Sequence, residues 1–545
     1  MKKIVLVLAV LLVSVSACKN PFLKKMLVEE EKGESSAVPK HTVTFSVEGG
    51  HGTLKATVDS KEINSGDSVE QGKSVVFTAE PAEGYVLEQW TNAGTAITEA
   101  GTDKTYTHTV TANADIKVKF DAPFIEGGAS LILSPNKLTI KVKAVTSDGS
   151  AVAVEGCTET SLASGSIYTW LHATGTVVIL KGKIIELDCS GTYNDNNKLT
   201  ALNVQGLTAL QRLYCGYNQF TAFDVQGLSA LQYLDCSNNR LTALDVQGCT
   251  ALQELYCGYN QLTTLDVQGL SALQSLGCIA NQLTALNVQD LTALQYLSCD
   301  RNQLTALDVQ GLTALLKLFC SNNRFTALDV QGLSTLQYLD CDNNQLTALD
   351  VQGLSALQWL WCYNNRLTAL NVQGCTALEG LWCYNNRLTA LNIQGCTALK
   401  GLECYSNQLT DLNVQGCTAL QGLGCYNNQL TALNVQGLTA LRWLYCGNNQ
   451  LTTLNVQGLT ALRTLRCYNN KLTAQAFTKL FDDLPARQDS DKGECILYTE
   501  ESGVIEGNHK DFSTPEALKT AFLNAKNNKK WKMYKWNGSW PGVEI

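Results

Sequence analysis

The residues between positions 184 and 473 repeat a single pattern of hydrophobic and polar positions. From Cys215 to Cys467 a cysteine returns every 21 residues, and Cys189 opens the series. Each cysteine lies in the frame Leu-x-x-Leu-x-Cys-x-x-Asn-x-Leu-Thr-x-Leu-Asp/Asn-Val-Gln-Gly. Leucine and cysteine at alternate positions predict a short strand with one buried face. One such coil cannot bury its apolar side chains alone, so the pattern predicts 14 stacked coils with a continuous core.

Two further columns of the repeat carry structural predictions. An asparagine stands three residues after the cysteine in every regular coil, for example Asn239 after Cys236. Stacked amide side chains can satisfy the backbone groups of buried turns, so we expect this column to be buried and hydrogen-bonded. The glycine after glutamine is replaced once, by Asp290. We expect a positive φ angle at every residue of this glycine column.

The segments on either side of the repeats follow other patterns. Residues 41–122 alternate between apolar and polar positions and contain glycine-rich turns, which predicts half-buried strands with Trp90 in their core. Residues 176–180 predict a strand that leads into the first coil. After the repeats, the patterns predict a helix over 474–484, a capping box at 513–516 that begins a second helix, and a strand over 531–536.

The N-terminus has the pattern of an export signal. Lys2 and Lys3 precede an apolar run over residues 4–15, which is typical of a signal peptide and too short to span a bilayer comfortably. The run ends in Val-Ser-Ala before Cys18, a pattern that resembles a bacterial lipobox. The resemblance implies cleavage after residue 17 and lipid attachment to Cys18, and ordinary secretory cleavage nearby is the alternative. Residues 18–40 are charged and lack a period, so we expect a solvated tether.

The 21 cysteines admit several interpretations. Exported proteins commonly form disulfides, but neighbouring Cβ atoms in a parallel ladder lie about 4.8 Å apart, whereas a disulfide needs about 3.8 Å. The ladder contains no Cys-x-x-Cys pair and no neighbouring histidine, which disfavours a metal site. We therefore expect buried, reduced thiols. A second inward column contains Cys249, Cys375, Cys396 and Cys417, and the flanks contain Cys157 and Cys495, for which no pairing is assigned.

The repeat frame resembles the internalin-type leucine-rich repeats of bacteria, specifically their 21-residue cysteine-ladder subtype. This resemblance covers residues 184–473. Residues 41–122 resemble the divergent B-repeat module of the same surface proteins, which is a β-grasp-like spacer. Together the resemblances imply an exported surface protein whose curved repeat sheet binds ligands of a host or of neighbouring cells.

Composition and charge narrow the possible functions. With 41 Lys and Arg against 49 Asp and Glu, the chain has a net charge of −8, which argues against nucleic-acid binding. The chain has 5 histidines and lacks a phosphate-binding loop, a nucleophile elbow and a His-Glu-x-x-His pattern, so the sequence predicts neither an enzyme nor a cofactor. Asp308, Asp329 and Asp350 form a single row, whereas calcium prefers about six to eight converging oxygens, so no metal site is predicted.

Candidate ligand-binding residues come from the outward positions of the predicted strands, which lie three before, one before and one after each cysteine. These positions vary from coil to coil and are rich in Trp and Tyr, which are enriched at binding hot spots. The predicted ligand-binding residues are Trp359, Trp361, Tyr363, Trp382, Tyr384, Tyr405, Tyr426, Trp443, Tyr445 and Tyr468. A smaller N-terminal group consists of Tyr214, Tyr233 and Tyr256, beside Asp235. The alternative is that stacked rings only stabilise adjacent strands.

The predicted architecture is a curved, parallel-β leucine-rich-repeat solenoid, preceded by a small β-grasp-like domain and followed by an α/β C-terminal cap. The predicted domains are a lipoprotein signal peptide at 1–17, a lipid-anchored tether at 18–40, a B-repeat-like β domain at 41–122, a linker and N-terminal cap at 123–183, the array of 14 coils at 184–473, and a C-terminal cap at 474–545.

The predicted function is that of a surface-exposed lipoprotein adhesin, which binds a host extracellular protein or glycan through the concave face of its repeats. The protein is expected to be a monomer that is held by its lipid on the bacterial cell surface, at the outer membrane. The alternative is a structural envelope or cell–cell contact (coaggregation) protein, whose partners are neighbouring cells and which has no specific host ligand.

Overall fold

The computed structural model describes residues 38–165, 167–195, 197–488, 490–491, 493–539 and 542–545. The predicted signal peptide, the predicted lipidation site Cys18 and the tether up to residue 37 lie outside the described residues. The described part of the chain forms two compact units, residues 38–82 with 87–120 and residues 83–86 with 121–545. Within it, every helix is too short or too polar to cross a membrane.

The first unit consists of β-sheets that follow from its alternating sequence. In the strand Ser74–Pro81, Val75, Phe77 and Ala79 are buried and the residues between them are exposed, as in a strand with one face on a core. Trp90 is fully buried, and its indole N–H donates to the carbonyl oxygen of Asp103 at 2.9 Å, so its predicted core position is confirmed. The strands are β1 Lys40–Glu48, β2 Gly52–Val58, β3 Lys61–Ile63, β4 Asp67–Glu70, β5 Ser74–Pro81, β6 Val86–Asn92, β7 Thr95–Ala96, β8 Thr105–Thr109 and β9 Ala114–Asp121. One sheet has the strand order β4-β1-β9-β6-β7, and the other has the order β3-β2-β5-β8.

The second unit begins with a β-rich flank that precedes the regular coils. Its strands are β10 Gly128–Leu133, β11 Thr139–Thr146, β12 Val152–Glu155, β13 Ser161–Leu162, β14 Thr169–His172, β15 Val177–Lys181, β16 Ile184–Asp188 and β17 Leu199–Asn203. An antiparallel sheet has the order β13-β12-β15-β10-β17. Strand β11 pairs antiparallel with β14 and β16, and β16 continues into the sheet of the coils.

Each regular coil contributes one three-residue strand to a continuous parallel sheet. The register advances by one whole coil, so Trp359, Leu360 and Trp361 lie opposite Gly380, Leu381 and Trp382. The predicted solenoid is confirmed. Its strands are β18 Arg212–Tyr214, β19 Tyr233–Asp235, β20 Glu254–Tyr256, β21 Ser275–Gly277, β22 Tyr296–Ser298, β23 Lys317–Phe319, β24 Tyr338–Asp340, β26 Trp359–Trp361, β28 Gly380–Trp382, β29 Gly401–Glu403, β30 Gly422–Gly424, β31 Trp443–Tyr445 and β32 Thr464–Arg466. A separate parallel pair consists of β25 Ala348–Asp350 and β27 Ala369–Asn371.

The interior of the solenoid contains the leucines and cysteines of the frame. Leu360 and Cys362, like their equivalents in the other regular coils, are fully buried. The second motif of each coil is buried as well, as Leu367, Leu370 and Val372 illustrate, and it forms another wall of the core. The predicted inward positions of the frame are therefore confirmed.

The thiols of the ladder are free and buried, as predicted. Burial raises the pKa of Cys383 to about 12, so this thiol stays protonated at neutral pH. Outside the ladder, Cys157 is half-buried, and Cys495 is fully buried in the strand that follows the last coil.

The asparagine column ties each coil to the preceding one. The side-chain amide of Asn365 donates to the carbonyl oxygens of Cys341 at 3.0 Å and Cys362 at 3.2 Å, and its oxygen accepts from the backbone N–H of Leu346 at 2.9 Å. These bonds satisfy backbone groups that the strand ladder leaves unpaired. The predicted role of the column is confirmed.

The glycine column adopts the predicted positive φ angles, with 79° at Gly353 and 70° at Asp290. Gly206 of the first coil is the exception, because its φ is not positive. A Cβ atom there would lie 1.8 Å from the carbonyl oxygen of Ile125, so close approach of the flank is what requires glycine.

A second positive-φ column was not predicted. It lies two residues after each ladder cysteine from Cys215 onward and includes Asn364 at 51°, but also Tyr259 at 55° and Arg301 at 52°. The repeated Asn-Asn pair is the sequence signal for it, since asparagine tolerates this conformation better than most residues.

The chain after the coils forms a cap with both helices and strands. Its elements are α1 Ala474–Asp483, β33 Gly493–Thr499, α2 Glu516–Asn527, β34 Trp531–Trp536 and β35 Val543–Glu544. Thr473 caps α1, because its side-chain oxygen accepts from the N–H of Ala476 at 3.2 Å. The predicted capping box of the second helix is wrong: α2 begins after Pro515 without a side-chain cap, and the Ser513 hydroxyl donates to Asp511 at 2.5 Å instead.

Candidate ligand-binding site

The outward side of the coil sheet is the candidate site, and we call it the strand face. It consists of the side chains three before, one before and one after each ladder cysteine. Successive side chains of a strand point to opposite sides of the sheet. Leu360 and Cys362 point inward, so their neighbours Trp359, Trp361 and Tyr363 point outward. In-register stacking then places each outward residue beside the residue 21 positions later.

The ten predicted aromatic residues lie on this face, and every one of them is half-buried. Their partial burial comes largely from one another, because most of the rings are in ring–ring contact. The N-terminal group is packed in the same way: the ring centroids of Tyr214 and Tyr233 are 4.5 Å apart, and those of Tyr233 and Tyr256 are 5.8 Å apart.

Four of the tyrosines form a continuous stack, which we call the tyrosine ladder: Tyr363, Tyr384, Tyr405 and Tyr426. Successive ring centroids are 4.4, 4.3 and 4.2 Å apart, and successive planes differ by 9°, 9° and 11°. Each ring covers the face of the next, so the ladder stabilises neighbouring coils. The middle rings offer only their edges and hydroxyl groups to a ligand.

Trp359, Trp361 and Trp382 form a cluster of nearly parallel rings, with centroids 5.3 to 5.8 Å apart. Two of these rings lie over Gly380: a Cβ atom at this position would be 2.3 Å from Trp382 Cζ3 and 2.7 Å from Trp359 Cε3. The missing side chain at Gly380 is therefore what allows the indoles to lie against the sheet.

The glycine at the same position two coils later, Gly422, is also covered by a tryptophan ring. A Cβ atom at Gly422 would be 1.8 Å from Trp443 Cζ2, so the Trp443 ring covers this residue. Between the two covered glycines, Gly401 has no atom within 4 Å of the place where its Cβ would be. The sheet is therefore open at Gly401, with indole rings on the coils to both sides.

A groove of about 470 Å³ lies in this part of the strand face. Six of the predicted residues line it, namely Trp382, Tyr384, Tyr405, Tyr426, Tyr445 and Tyr468. Sequence analysis did not identify Glu403, Gly447, Arg466 and Trp536, which line it too. Trp536 comes from β34 of the cap, and its ring lies parallel to that of Tyr468 with centroids 6.1 Å apart.

Glu403 provides the negative charge of the groove. Its carboxylate lies against Gly424, where a Cβ atom would be 1.9 Å from Glu403 Oε2. Burial raises the pKa of Glu403 to about 7. Among the described residues, no hydrogen bond or ion pair connects the side-chain carboxylate of Glu403 to another group, although its backbone oxygen accepts from the N–H of Cys383 at 2.9 Å.

Arg466 provides the positive charge of the groove. The guanidinium carbon lies 4.1 Å from the ring centroid of Tyr445, which is a cation–π contact. Glu403 and Arg466 belong to coils that are three apart, so about 14 Å separates their backbones along the sheet at a strand spacing of about 4.8 Å. The groove therefore carries two charges at separate positions.

An acidic group precedes the aromatic region on the same face. Burial and the neighbouring Asp342 raise the pKa of Asp340 to about 7, and burial raises the pKa of Asp342 as well. The Asp-Cys-Asp sequence around Cys341 is the signal that could have identified this pair, because both aspartates occupy outward positions.

The row of aspartates that was considered for calcium has a structural role. Asp308, Asp329 and Asp350 each accept a hydrogen bond at 3.0 Å from the backbone N–H two residues later. These hydrogen bonds stabilise turns within single coils. Among the described residues, no group of three or more His, Cys, Asp or Glu side chains could hold a metal ion.

Comparison with known proteins finds matches for both parts of the chain. Residues 41–123 match the divergent InlB B-repeat domain, and residues 229–272 match leucine-rich repeats. The functional domain of InlJ from Listeria monocytogenes, which includes a cysteine ladder, is 31 % identical over 61 % of this chain and 77 % of that chain, with a TM-score of 0.49.

Two further solved structures are similar. A leucine-rich-repeat protein of Leptospira interrogans is 26 % identical over 60 % of this chain and 84 % of its own, with a TM-score of 0.48. The internalin InlF from Listeria monocytogenes is 28 % identical over 52 % of this chain and 81 % of its own, with a TM-score of 0.41. No curated protein matches the chain.

Proposed function

Because the chain belongs to the internalin-like leucine-rich-repeat proteins, we propose that it is a surface adhesin that binds an extracellular host protein through its strand face. The observation that supports this function is the groove of about 470 Å³, which combines aromatic walls with Glu403 and Arg466. Trp, Tyr and Arg are the residue types that most often dominate binding energy at protein interfaces. Burial of the leucine and cysteine columns does not require any of these residue types at the outward positions.

The packing of the rings favours a protein over a glycan as the ligand. Flat stacking of a sugar requires a free aromatic face, and in the tyrosine ladder the neighbouring rings cover these faces at 4.2 to 4.4 Å. Edges, hydroxyl groups and fixed charges remain available, and these suit the side chains and backbone of a protein partner. Binding to a glycan is therefore an outcome that the experiment below must distinguish.

We propose further that Cys18 carries the lipid that holds the protein on the cell surface, at the outer membrane. The support is the Val-Ser-Ala-Cys pattern after a short apolar run. Labelling of growing cells with a radioactive fatty acid should mark the protein, and Cys18→Ser should abolish the label. A Cys157→Ser control should keep it, and label that persists without Cys18 contradicts the anchor.

The adhesin proposal is tested with residues 19–545 on surfaces coated with native and enzymatically deglycosylated matrix proteins. We expect equal binding to both surfaces, and we expect the triple change Trp359, Trp361 and Trp382→Ala to weaken it by about tenfold or more. Binding that disappears on deglycosylation identifies a glycan ligand instead.

The matched control is the triple change Tyr214, Tyr233 and Tyr256→Ala, which removes stacked rings from the other end of the same face. Circular dichroism must show that both triple variants fold. If the folded tryptophan variant binds as well as the original protein, the proposed binding face is wrong.

A further inference from the structure

The strand face departs from its own pattern around Glu403. The position three before the cysteine holds a large or polar side chain in most coils, but glycine in three successive coils, at Gly380, Gly401 and Gly422. The position one before the cysteine is also glycine at Gly424. Indole rings cover Gly380 and Gly422, and the Glu403 carboxylate covers Gly424, so the sheet is open at Gly401, two residues before Glu403 on the same face. Glycine is not needed there for coil stacking, since other coils stack with tryptophan or tyrosine at the same position.

The walls around this opening are aromatic. Trp382 lies on the preceding coil, and Tyr405 and Tyr426 of the tyrosine ladder lie to one side, close enough for the charge of Glu403 to raise their pKa values in addition to burial. Aromatic rings attract cations, whereas they offer a carboxylate no counter-charge. The surroundings of Glu403 are therefore favourable for a cation and unfavourable for the unaccompanied carboxylate.

Burial without a counter-charge is costly for a carboxylate, and most such groups are paired. Arg466 does not fill this role in the described structure, because its guanidinium lies over the Tyr445 ring at 4.1 Å and its backbone is three coils, about 14 Å, from that of Glu403. The ion pair of Lys400 with Glu379, at 2.8 Å, already satisfies the nearest lysine of the same coil.

From this geometry we propose that the opening beside Glu403 receives a basic side chain, lysine or arginine, of the protein partner. The inference rests on the proposed function and specifies what its groove recognises. The incoming ammonium or guanidinium group pairs with the carboxylate and contacts the surrounding rings. Charge complementarity identifies this occupant, because an acidic or neutral group leaves Glu403 buried without a partner.

Other titratable and charged groups lie near Glu403 on the strand face. Burial raises the pKa of the phenols of Tyr384, Tyr405 and Tyr426 and of the thiols of Cys383, Cys404 and Cys425, so these groups stay uncharged at neutral pH. The remaining charged or hydroxyl-bearing neighbours are Tyr445, Arg466 and the ion pair of Glu379 with Lys400.

Hexalysine is the probe, and titration calorimetry of the purified protein measures its binding. We expect Glu403→Gln, which keeps the shape of the side chain and removes its charge, to weaken the binding by about tenfold or more. The matched control is Glu254→Gln, another glutamate of the strand face, which accepts a hydrogen bond from Tyr256 at 3.0 Å. Glu254→Gln should bind hexalysine as the unchanged protein does, and hexalysine with acetylated side chains should bind neither.

The pH dependence provides a second readout. With a pKa of about 7 in the empty site, Glu403 is about one-tenth ionised at pH 6 and about nine-tenths at pH 8, so hexalysine should bind about tenfold more tightly at pH 8. Glu403→Gln should lose this tenfold dependence, whereas the contribution of Asp340 on the same face, whose pKa is also about 7, remains in both proteins. The inference is overturned if Glu403→Gln and Glu254→Gln lose the same amount of hexalysine affinity, or if the unchanged protein does not bind hexalysine measurably.

The outcomes separate this inference from the adhesin proposal. If the tryptophan variant loses matrix binding but Glu403→Gln does not lose hexalysine binding, the adhesin stands and the cation site is wrong. If hexalysine binding depends on Glu403 but no matrix protein binds, the cation site stands and the host adhesin is wrong.

Discussion

The two sides of each coil strand differ in how much their residues vary. On the inward side, Leu360 and Cys362 and their equivalents repeat with almost no change and are fully buried. On the strand face, equivalent positions range from Trp359 to Gly380 and from Trp382 to Glu403. The difference shows that coil stacking determines one side and leaves the other free, so the outward residues can serve binding even where they do not improve stability.

The largest effect is expected on the inward side. Asn365→Ala removes hydrogen bonds to Cys341, Cys362 and Leu346 and leaves buried backbone groups without partners, which should lower the free energy of unfolding by about 3 kcal/mol. Urea unfolding followed by circular dichroism measures this loss.

The neighbouring Asn364 provides the control for this prediction, because it is exposed and has a φ of 51°, which glycine also accepts. Asn364→Gly should cost much less than Asn365→Ala. Similar losses in the two variants would mean that the asparagine column does not hold the coils together.

An intermediate effect is expected from a methyl group on the strand face. Gly422→Ala places a Cβ atom 1.8 Å from Trp443 Cζ2, so the indole must move, and we expect a loss of about 2 kcal/mol in the free energy of unfolding. Gly401→Ala is the matched control, because no atom lies within 4 Å of its added Cβ. If the tryptophan fluorescence spectrum of Gly422→Ala is the same as that of the unchanged protein, the predicted displacement of the indole is contradicted.

The smallest effect concerns Glu403 and depends on pH. Its folded-state pKa of about 7 lies above the ordinary value of 4.5, so the folded protein holds this proton more tightly than the unfolded chain. The associated stability is present below about pH 4.5 and is lost as the pH rises through 7. Because Glu403 is partly exposed, we expect Glu403→Gln to be more stable than the unchanged protein by only about 1 kcal/mol at pH 8.

Thermal melts at pH 5 and pH 8 measure this difference. Asp340 has the same direction of pKa shift and remains in both proteins, so its contribution cancels in the comparison. A variant that is less stable than the unchanged protein at pH 8 would show that the Glu403 carboxylate is stabilised rather than strained by its surroundings.

The sequence allowed accurate prediction where one residue type has one physical role. The coils, the inward thiols, the asparagine column and most of the positive-φ glycines follow from steric and hydrogen-bonding demands that recur in each repeat. Gly206 departs because the flank approaches it, and the cap of α2 departs because Asp511 competes for Ser513. Both exceptions involve contacts from outside the repeat.

The candidate site could be predicted only in part. Alternation along the strand predicted which aromatic residues occupy outward positions, but not that Tyr363 through Tyr426 cover one another, since this depends on how the side chains rotate. Glu403 and Arg466 have no motif of their own, and Trp536 reaches the groove only because β33 and β34 extend the sheet beyond the last coil.

The amino-acid sequence by itself determined that this chain forms a stacked solenoid with sulfur, leucine and amide columns inside, because a strict period repeats the same burial in each coil. Only the tertiary structure decided which outward rings are covered, where the sheet is bare and which carboxylate lacks a counter-charge. These properties depend on side chains from several coils meeting in space, and no single repeat contains that information.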